Sequence, residues 1–213
     1  MSFLRRLFGG AGGTDDDPGA RLVVVDTETS GLDAERDELL AIGAVAVEDG
    51  SVLPGDSFEV VLQNAAAGDA TNVAVHGIGY GAQAAGMPAA EALAAFRDFV
   101  GDSRCVGYHV DFDRKVLARA CAAANVPFDG RPWLDLAQLV GALEPARYRA
   151  GARSLDDWLG AYAIGNEARH NAAGDALATA ELLLRLRAKA AGQGAKGFSG
   201  LLRAASQQKW LGG

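Results

Sequence analysis

The stretch Leu22-Val23-Val24-Val25-Asp26-Thr27-Glu28-Thr29 decides the fold, because a short apolar run is followed at once by two acids. A run of β-branched residues between Gly19 and Gly31 predicts a strand that is buried on both faces. Side chains alternate along a strand, so Asp26 and Glu28 are expected to point the same way. Two adjacent carboxylates repel each other unless a cation compensates them, and hard divalent cations prefer oxygen ligands. The pattern therefore predicts a metal site at the end of a buried strand.

The size and composition of the chain are typical of one soluble domain with short extensions. It has 213 residues, of which 49% are hydrophobic and 22% charged, and its formal net charge is −7. This acidic balance argues against broad electrostatic binding of a DNA duplex, although metal ions can neutralise phosphates locally. Composition therefore leaves open an enzyme that meets nucleic acid at a small, metal-assisted site.

Cysteine usage and hydropathy indicate a reducing compartment and no membrane. Cys105 and Cys121 form no C-x-x-C pair, so we expect both thiols to be buried and reduced. No apolar stretch approaches the length of a membrane span. Arg5 and Arg6 interrupt the first apolar cluster, whereas a secretory signal peptide needs an uninterrupted apolar segment. The expected location is the cytoplasm.

The chain divides into three parts by its pattern. Residues 1–20 are predicted to be a flexible N-terminal tail, and residues 191–213 a C-terminal tail with a short amphipathic segment. Residues 21–190 are predicted to form the domain, with a meander of three strands around an Asp49-Gly50 turn and then alternating helices and strands. This order predicts an α/β sandwich around a mixed sheet. Either tail could dock a polymerase subunit or a sliding clamp, or pack on its own domain.

Two further segments carry acids near predicted helix starts. The segment Gly107 to Asp113 joins a strand to a helix and places Asp113 near a helix N-terminus, where the helix dipole favours negative charge. Asn171 is predicted to cap the long helix that follows, with His170 just before the helix and Asp175 one turn inside it. Each segment alone is common in helices without a catalytic role. Only the three segments together indicate a site.

Taken in order, Asp26-Thr27-Glu28, Phe112-Asp113 and His170-x-x-x-x-Asp175 resemble the three motifs of the DEDDh exonuclease family. The resemblance covers about residues 21–188, and Val75-His76-Gly77-Ile78 resembles the nucleotide-pocket loop of that family. It implies an α/β, ribonuclease-H-like fold with a mixed five-stranded sheet flanked by helices. Within the family, the sequence resembles the proofreading (epsilon) subunits of bacterial DNA polymerase III.

The resemblance also implies roles for individual residues. Two Mg²⁺ or Mn²⁺ ions would be held by Asp26, Glu28, Asp113 and Asp175. His170 would be the general base, since imidazole can accept a proton near neutral pH. His109 stands where the family usually has asparagine, which leaves substrate preference open. Contacts to the substrate would come from Thr27, Thr29, Gly31, Leu32, His76, His109 and Phe112.

The implied function is a metal-dependent 3′–5′ exonuclease that releases nucleoside 5′-monophosphates from the 3′ ends of single-stranded DNA, in proofreading or repair. The same chemistry on RNA ends or short oligonucleotides is an alternative, because recognition of the 2′-hydroxyl depends on pocket geometry. A non-catalytic binding module of the same fold is a further alternative, and the presence of all five catalytic residue types argues against it. Arg147, Arg149 and Arg153 either guide the incoming strand or form a solvated loop.

Overall fold

The computed structural model describes residues 17–64, 78–166 and 169–211, which are built around a five-stranded sheet. The strands lie in the order β3-β2-β1-β4-β5; β2 is antiparallel to both β1 and β3, whereas β4 is parallel to both β1 and β5. The predicted mixed five-stranded sheet is therefore confirmed. The strands are β1 (Leu22–Thr29), β2 (Leu39–Glu48), β3 (Ser51–Val61), β4 (Arg104–Gly107) and β5 (Leu134–Asp135).

Helices flank this sheet on both faces. Asn171 caps α7 as predicted, accepting a hydrogen bond from the N–H of Gly174, and Ser154 forms a capping box with Asp157 at the start of α6. Within the described ranges the helices are α1 (Tyr80–Ala84), α2 (Ala89–Val100), α3 (Val110–Ala123), α4 (Leu136–Leu143), α5 (Pro145–Arg149), α6 (Leu155–Ala161), α7 (Ala172–Gly192) and α8 (Gly197–Leu211).

The predicted meander of β1, β2 and β3 is present. Asp49 and Gly50 join β2 to β3, and both have positive φ angles, of 50° and 75°, as in hairpin turns that match the twist of the strands. The third strand begins at Ser51, whereas the apolar pattern in the sequence predicts a strand only over Ser57 to Leu62. Its first half lies at the edge of the sheet, where Pro54, Gly55 and Asp56 interrupt the apolar pattern after Leu53.

Two apolar clusters cover the two faces of the sheet, and β1 contributes to both. Val24 belongs to the cluster around Trp158, which α4, α6, α7 and α8 complete, whereas Val23 and Val25 belong to the cluster formed with α2 and α3. This division follows from the alternation of side chains along a strand. The central strand is thus buried on both faces, as predicted.

Helix α8 is part of the packed body. Phe198, Leu201 and Ala205 are buried in the cluster around Trp158, and α8 lies mainly against α4. Of the two possibilities for the C-terminal segment, packing on its own domain is the one observed. The predicted N-terminal tail lies almost wholly outside the described residues, which begin at Asp17. None of the described helices is both long and apolar enough to cross a bilayer.

Candidate active site

Three carboxylates meet at the polar end of β1. Asp26 and Glu28 share a face of the strand because they are two residues apart, and Asp175 comes from the first turn of α7. One oxygen of each carboxylate can be chosen so that all three lie within 4.8 Å of one another. Three converging carboxylate oxygens form a donor set that suits a hard divalent cation such as Mg²⁺ or Mn²⁺. The residues present therefore fit the ions that the sequence implies.

Gly43 lets α7 come this close to β1. It is the partner of Asp26 in the ladder between β1 and β2. A Cβ atom built on Gly43 would lie 2.1 Å from the carbonyl carbon of Ala172 and 2.3 Å from the nitrogen of Ala173. Both are backbone atoms, so no side-chain rotation could relieve the overlap. The absence of a side chain at Gly43 thus sets the distance between Asp175 and Asp26.

The fourth predicted acid, Asp113, lies beside this group. It is buried in the first turn of α3, where the hydroxyl of Thr27 donates a 2.6 Å hydrogen bond to its Oδ1. Among the described residues, Asp113 is not one of the three whose oxygens all lie within 4.8 Å of one another. The structure thus gathers Asp26, Glu28 and Asp175 tightly and holds Asp113 next to them through Thr27.

Burial and like-charge repulsion make ionisation of these acids costly. Burial raises the pKa of Asp26 well above its ordinary value, and the charges of Asp113, Asp175 and Glu28 raise it further. Burial, followed by the charge of Asp175, raises the pKa of Glu28 to about 7. Burial also raises the pKa of Asp113 to about 7, against the opposing effect of the hydrogen bond from Thr27. A bound cation would relieve this repulsion, which again fits a metal site.

Arg169 supplies a positive charge beside the acids, a role that the sequence motifs did not predict. Its Nη1 donates to Oδ2 of Asp175, while its Nε and Nη2 donate to the two oxygens of Asp156 at 2.6 and 3.1 Å. Asp156 lies in the first turn of α6, so Arg169 links α6 to the start of α7. Asn166 donates a 2.5 Å hydrogen bond to the other oxygen of Asp175. An arginine before His170 is visible in the sequence, but its reach to Asp175 depends on tertiary structure.

His170 lies on the loop that leads into α7, next to the acids. Its backbone is left-handed, with φ 62°, a conformation in which histidine is found more often than most residues. Its N–H donates a 3.2 Å hydrogen bond to Oδ2 of Asp175, and its side chain is exposed. The imidazole is thus free to meet solvent or substrate while its backbone is tied to the acid group.

His109, like His170, lies on the loop before a helix that carries one of the acids. It is also left-handed, with φ 59°, and turns the chain from β4 into α3, four residues before Asp113. Its N–H donates a 3.0 Å hydrogen bond to Oδ1 of Asp135, which also accepts from the N–H of Ala137 as the cap of α4. Asp135, which the sequence analysis did not single out, therefore fixes the loop that carries His109. The exposed ring of His109 meets the ring of Tyr108 edge-on, at 4.8 Å between centroids.

An open groove of about 680 Å³ is formed by the loop that follows β1 and the start of α3, and it contains two of the predicted substrate residues, Leu32 and Phe112. Leu32 is 95% exposed, which is unusual for a leucine, and Phe112 is partly buried. The loop that carries Leu32 is held in shape by a 2.6 Å hydrogen bond from the hydroxyl of Thr29 to the carbonyl of Gly31. The groove is lined by Leu32, Asp33, Ala34, Glu35, Asp37, Asp111, Phe112 and Lys115.

Two further groups of predicted residues are the loop around His76 and the basic cluster of Arg147, Arg149 and Arg153. His76 and the loop that resembles a nucleotide pocket lie outside the described residues, except for Ile78. In the predicted basic cluster, the guanidinium carbon of Arg153 lies 3.5 Å from the ring centroid of Tyr148. The guanidinium also donates to the carbonyls of Tyr148 and Ala152, so Arg153 is engaged with its own loop.

Comparisons with known proteins give matches over most of the chain. The family model described as Exonuclease, RNase_T, matches residues 23–183. A DNA polymerase III subunit epsilon-like protein of Rhodobacter capsulatus is 33% identical over 181 residues, which cover 84% of this chain and 25% of that protein. The chain spans a quarter or less of the length of the first curated relatives that it matches.

Solved structures share the fold at low sequence identity. E. coli exonuclease I in complex with a dT13 oligonucleotide has a TM-score of 0.67 and 19% identity, covering 79% of this chain and 41% of that chain. The nuclease domain of 3′hExo, a DEDDh family member bound to rAMP, has a TM-score of 0.68 and 14% identity, covering 80% of this chain and 93% of that chain. The expected ribonuclease-H-like architecture is therefore confirmed.

Proposed function

The chain belongs to the RNase_T exonuclease family, and on that premise we propose that it removes nucleotides from the 3′ ends of single-stranded DNA. The predicted family is confirmed by the match over residues 23–183. The observation that carries the proposal is the convergence of Asp26, Glu28 and Asp175 within 4.8 Å. His170, on the adjoining loop, supplies an exposed imidazole beside them.

Single-stranded DNA is the substrate that these observations favour. The net charge of −7 disfavours extensive binding of a duplex, whereas a single 3′ end needs only a small site. The exposed side chain of Leu32, beside Phe112 in the groove, offers an apolar surface to a terminal base without reading its sequence. The Rhodobacter relative is named after a DNA polymerase III subunit, which supports a role in proofreading or repair.

The acids of β1 and α7, with Asp113 beside them, are proposed to hold two Mg²⁺ or Mn²⁺ ions. When bound, such ions supply Lewis-acid activation of water and neutralise charge on the scissile phosphate. Carboxylates must be ionised to act as ligands, and the pKa values of Asp26 and Glu28 are raised in the metal-free protein. Metal binding is therefore expected to release protons, and its affinity to increase with pH up to about pH 7.

His170 is proposed to accept the proton of the attacking water. The water oxygen bonds to phosphorus while the bond from phosphorus to the 3′ oxygen of the next nucleotide breaks. The 3′ oxygen then takes up a proton, and a nucleoside 5′-monophosphate leaves. Because the N–H of His170 is bonded to Asp175, the position of the base is coupled to that of the carboxylate.

Digestion of 5′-labelled single-stranded DNA tests this function, with RNA of the same sequence and a dinucleotide as parallel substrates. With Mn²⁺, the wild-type protein should give a ladder of DNA shortened from the 3′ end. Asp175→Asn, a change of equal size, should give none while its circular dichroism spectrum stays unchanged. Equal digestion by Asp175→Asn would contradict the proposal. Faster digestion of RNA or of the dinucleotide would mean that single-stranded DNA is not the preferred substrate.

Association with a DNA polymerase is the second part of the proposal, supported by the names of the polymerase III relatives. The apolar face of α8 is already buried against α4, so a partner would meet other surfaces of this chain. Co-purification with the polymerase from cell extract, compared between the full chain and one that begins at residue 17, checks whether the N-terminal segment carries the contact. Equal recovery would exclude that segment.

A further inference from the structure

We propose that Arg169 stands in for the metal: its guanidinium neutralises Asp175 in the metal-free enzyme and releases it when ions bind. This inference rests on the proposed function, which makes Asp175 a metal ligand. It assigns to Arg169 a positioning role that neither the sequence motifs nor the family match supplies.

The first argument is competition for the same oxygen atoms. Asp175 is only 5% exposed, and both of its carboxylate oxygens already accept hydrogen bonds within the protein. Arg169 Nη1 and the N–H of His170 bind Oδ2, and Asn166 binds Oδ1. A divalent cation shared with Asp26 and Glu28 would meet the guanidinium at this carboxylate, and the two positive charges would repel each other.

The second argument is that Arg169 has a second partner to retain. Its Nε and Nη2 form a two-point contact with Asp156, which leaves only Nη1 on Asp175. The side chain of Asp156 is 61% exposed, so this contact lies at the rim of the site. Arg169 can therefore lose Asp175 and keep Asp156, and its charge is never left without a partner.

The third argument is the need for a compensating charge when no metal is bound. Asp26, Glu28 and Asp175 bring three carboxylate oxygens within 4.8 Å of one another, and the guanidinium of Arg169 forms an ion pair with one of these acids. Without it, the first turn of α7 would bring an uncompensated acid against two others. Arg169 thus keeps the site assembled until metal arrives.

Mn²⁺ titration calorimetry and thermal unfolding test this role in the wild-type protein, Arg169→Gln and a charge-matched control. Arg97→Gln is the control, because it removes an equal charge from an exposed pair with Asp98 on α2. Arg169→Gln should bind Mn²⁺ roughly three- to tenfold more tightly, as expected for loss of a partly exposed competing ion pair. In EDTA its Tm should be about 2–4 °C below the wild-type value, and saturating Mn²⁺ should remove most of that deficit. Arg97→Gln should leave the Mn²⁺ affinity unchanged.

Unchanged or weaker Mn²⁺ affinity in Arg169→Gln would overturn the inference. A Tm deficit that persists at saturating Mn²⁺ would do the same, because it would make Arg169 a permanent bridge between α6 and α7. If the wild-type protein binds Mn²⁺ and Arg169→Gln gives either of these results, only the role of Arg169 is contradicted. A wild-type protein that binds no Mn²⁺ contradicts the proposed function as well.

Discussion

The two halves of β1 belong to one strand and have opposite effects on stability. Leu22–Val25 is buried among apolar side chains on both faces of the sheet, and such burial contributes about 25 cal/mol per Å² of apolar surface. The half from Asp26 to Thr29 instead holds two acids whose pKa values burial raises. The apolar half therefore fixes the strand rigidly enough to hold repelling groups together. Stability and activity should therefore respond to different residues of the same strand and its neighbours.

The largest expected effect is on activity alone, from His170→Asn. Asparagine tolerates the left-handed backbone at this position, where φ is 62°, so the fold should be retained. Loss of the proton acceptor should lower kcat roughly 10²–10⁴-fold, measured as release of mononucleotides at saturating Mn²⁺. Mn²⁺ affinity measured by calorimetry should be unchanged. Retention of wild-type kcat would exclude His170 as the base.

A methyl group at Gly43 should lower stability and activity together. Gly43→Ala places a Cβ against the backbone of Ala172 and should displace Asp175, for which a shift of about 1 Å lowers kcat on the order of 10²-fold. The melting temperature should decrease as well. Gly55→Ala is the matched control, because a Cβ at Gly55 meets nothing within 4 Å. Equal activity of the two variants would show that close approach of α7 is not needed.

A change in the apolar half should affect stability alone. Val24 is fully buried, and Val24→Ala should lower the free energy of unfolding by about 1.5–3 kcal/mol through lost burial and a small cavity. Urea unfolding measures this loss. The kcat per folded molecule should stay at the wild-type value. A larger fall in kcat would mean that the apolar half also tunes the geometry of the acids.

The smallest expected effect on stability is a gain in the polar half, from Glu28→Gln. Folding raises the pKa of Glu28 from 4.5 to about 7, so the folded state binds its proton more tightly than the unfolded state. The stabilisation by that proton is complete below pH 4.5 and is lost as pH rises through 7. In EDTA at high pH, Glu28→Gln should therefore be more stable than wild type by about 1–2 kcal/mol, allowing for solvent screening.

Urea unfolding at several pH values checks this gain, with Glu181→Gln on the exposed side of α7 as the control. The advantage of Glu28→Gln should vanish near the ordinary pKa of glutamate, while its activity is lost at every pH. An advantage that does not depend on pH would assign the gain to packing rather than to charge.

Features that depend on local pattern were predictable from the sequence. The apolar run before Asp26 predicted the central strand, and Asn171 predicted the start of α7, because strand burial and helix caps are encoded within a few residues. The family motifs then identified the acids. The roles of Gly43 and Arg169 were not predicted, since the atoms they meet, in Ala172 and Asp156, are brought to them only by the tertiary fold.

The direct contact between β2 and α7 ties the acid group to the way in which the sheet is assembled. If β2 paired with β1 one position out of step, Ile42 or Ala44 would replace Gly43 opposite Asp26, and neighbouring side chains would exchange faces. Such a misassembled chain could still bury much of its apolar surface, but α7 could not pack against β2 and the three acids would stay apart. Hydrolytic activity of this protein would therefore indicate that β1 and β2 have paired in the correct register.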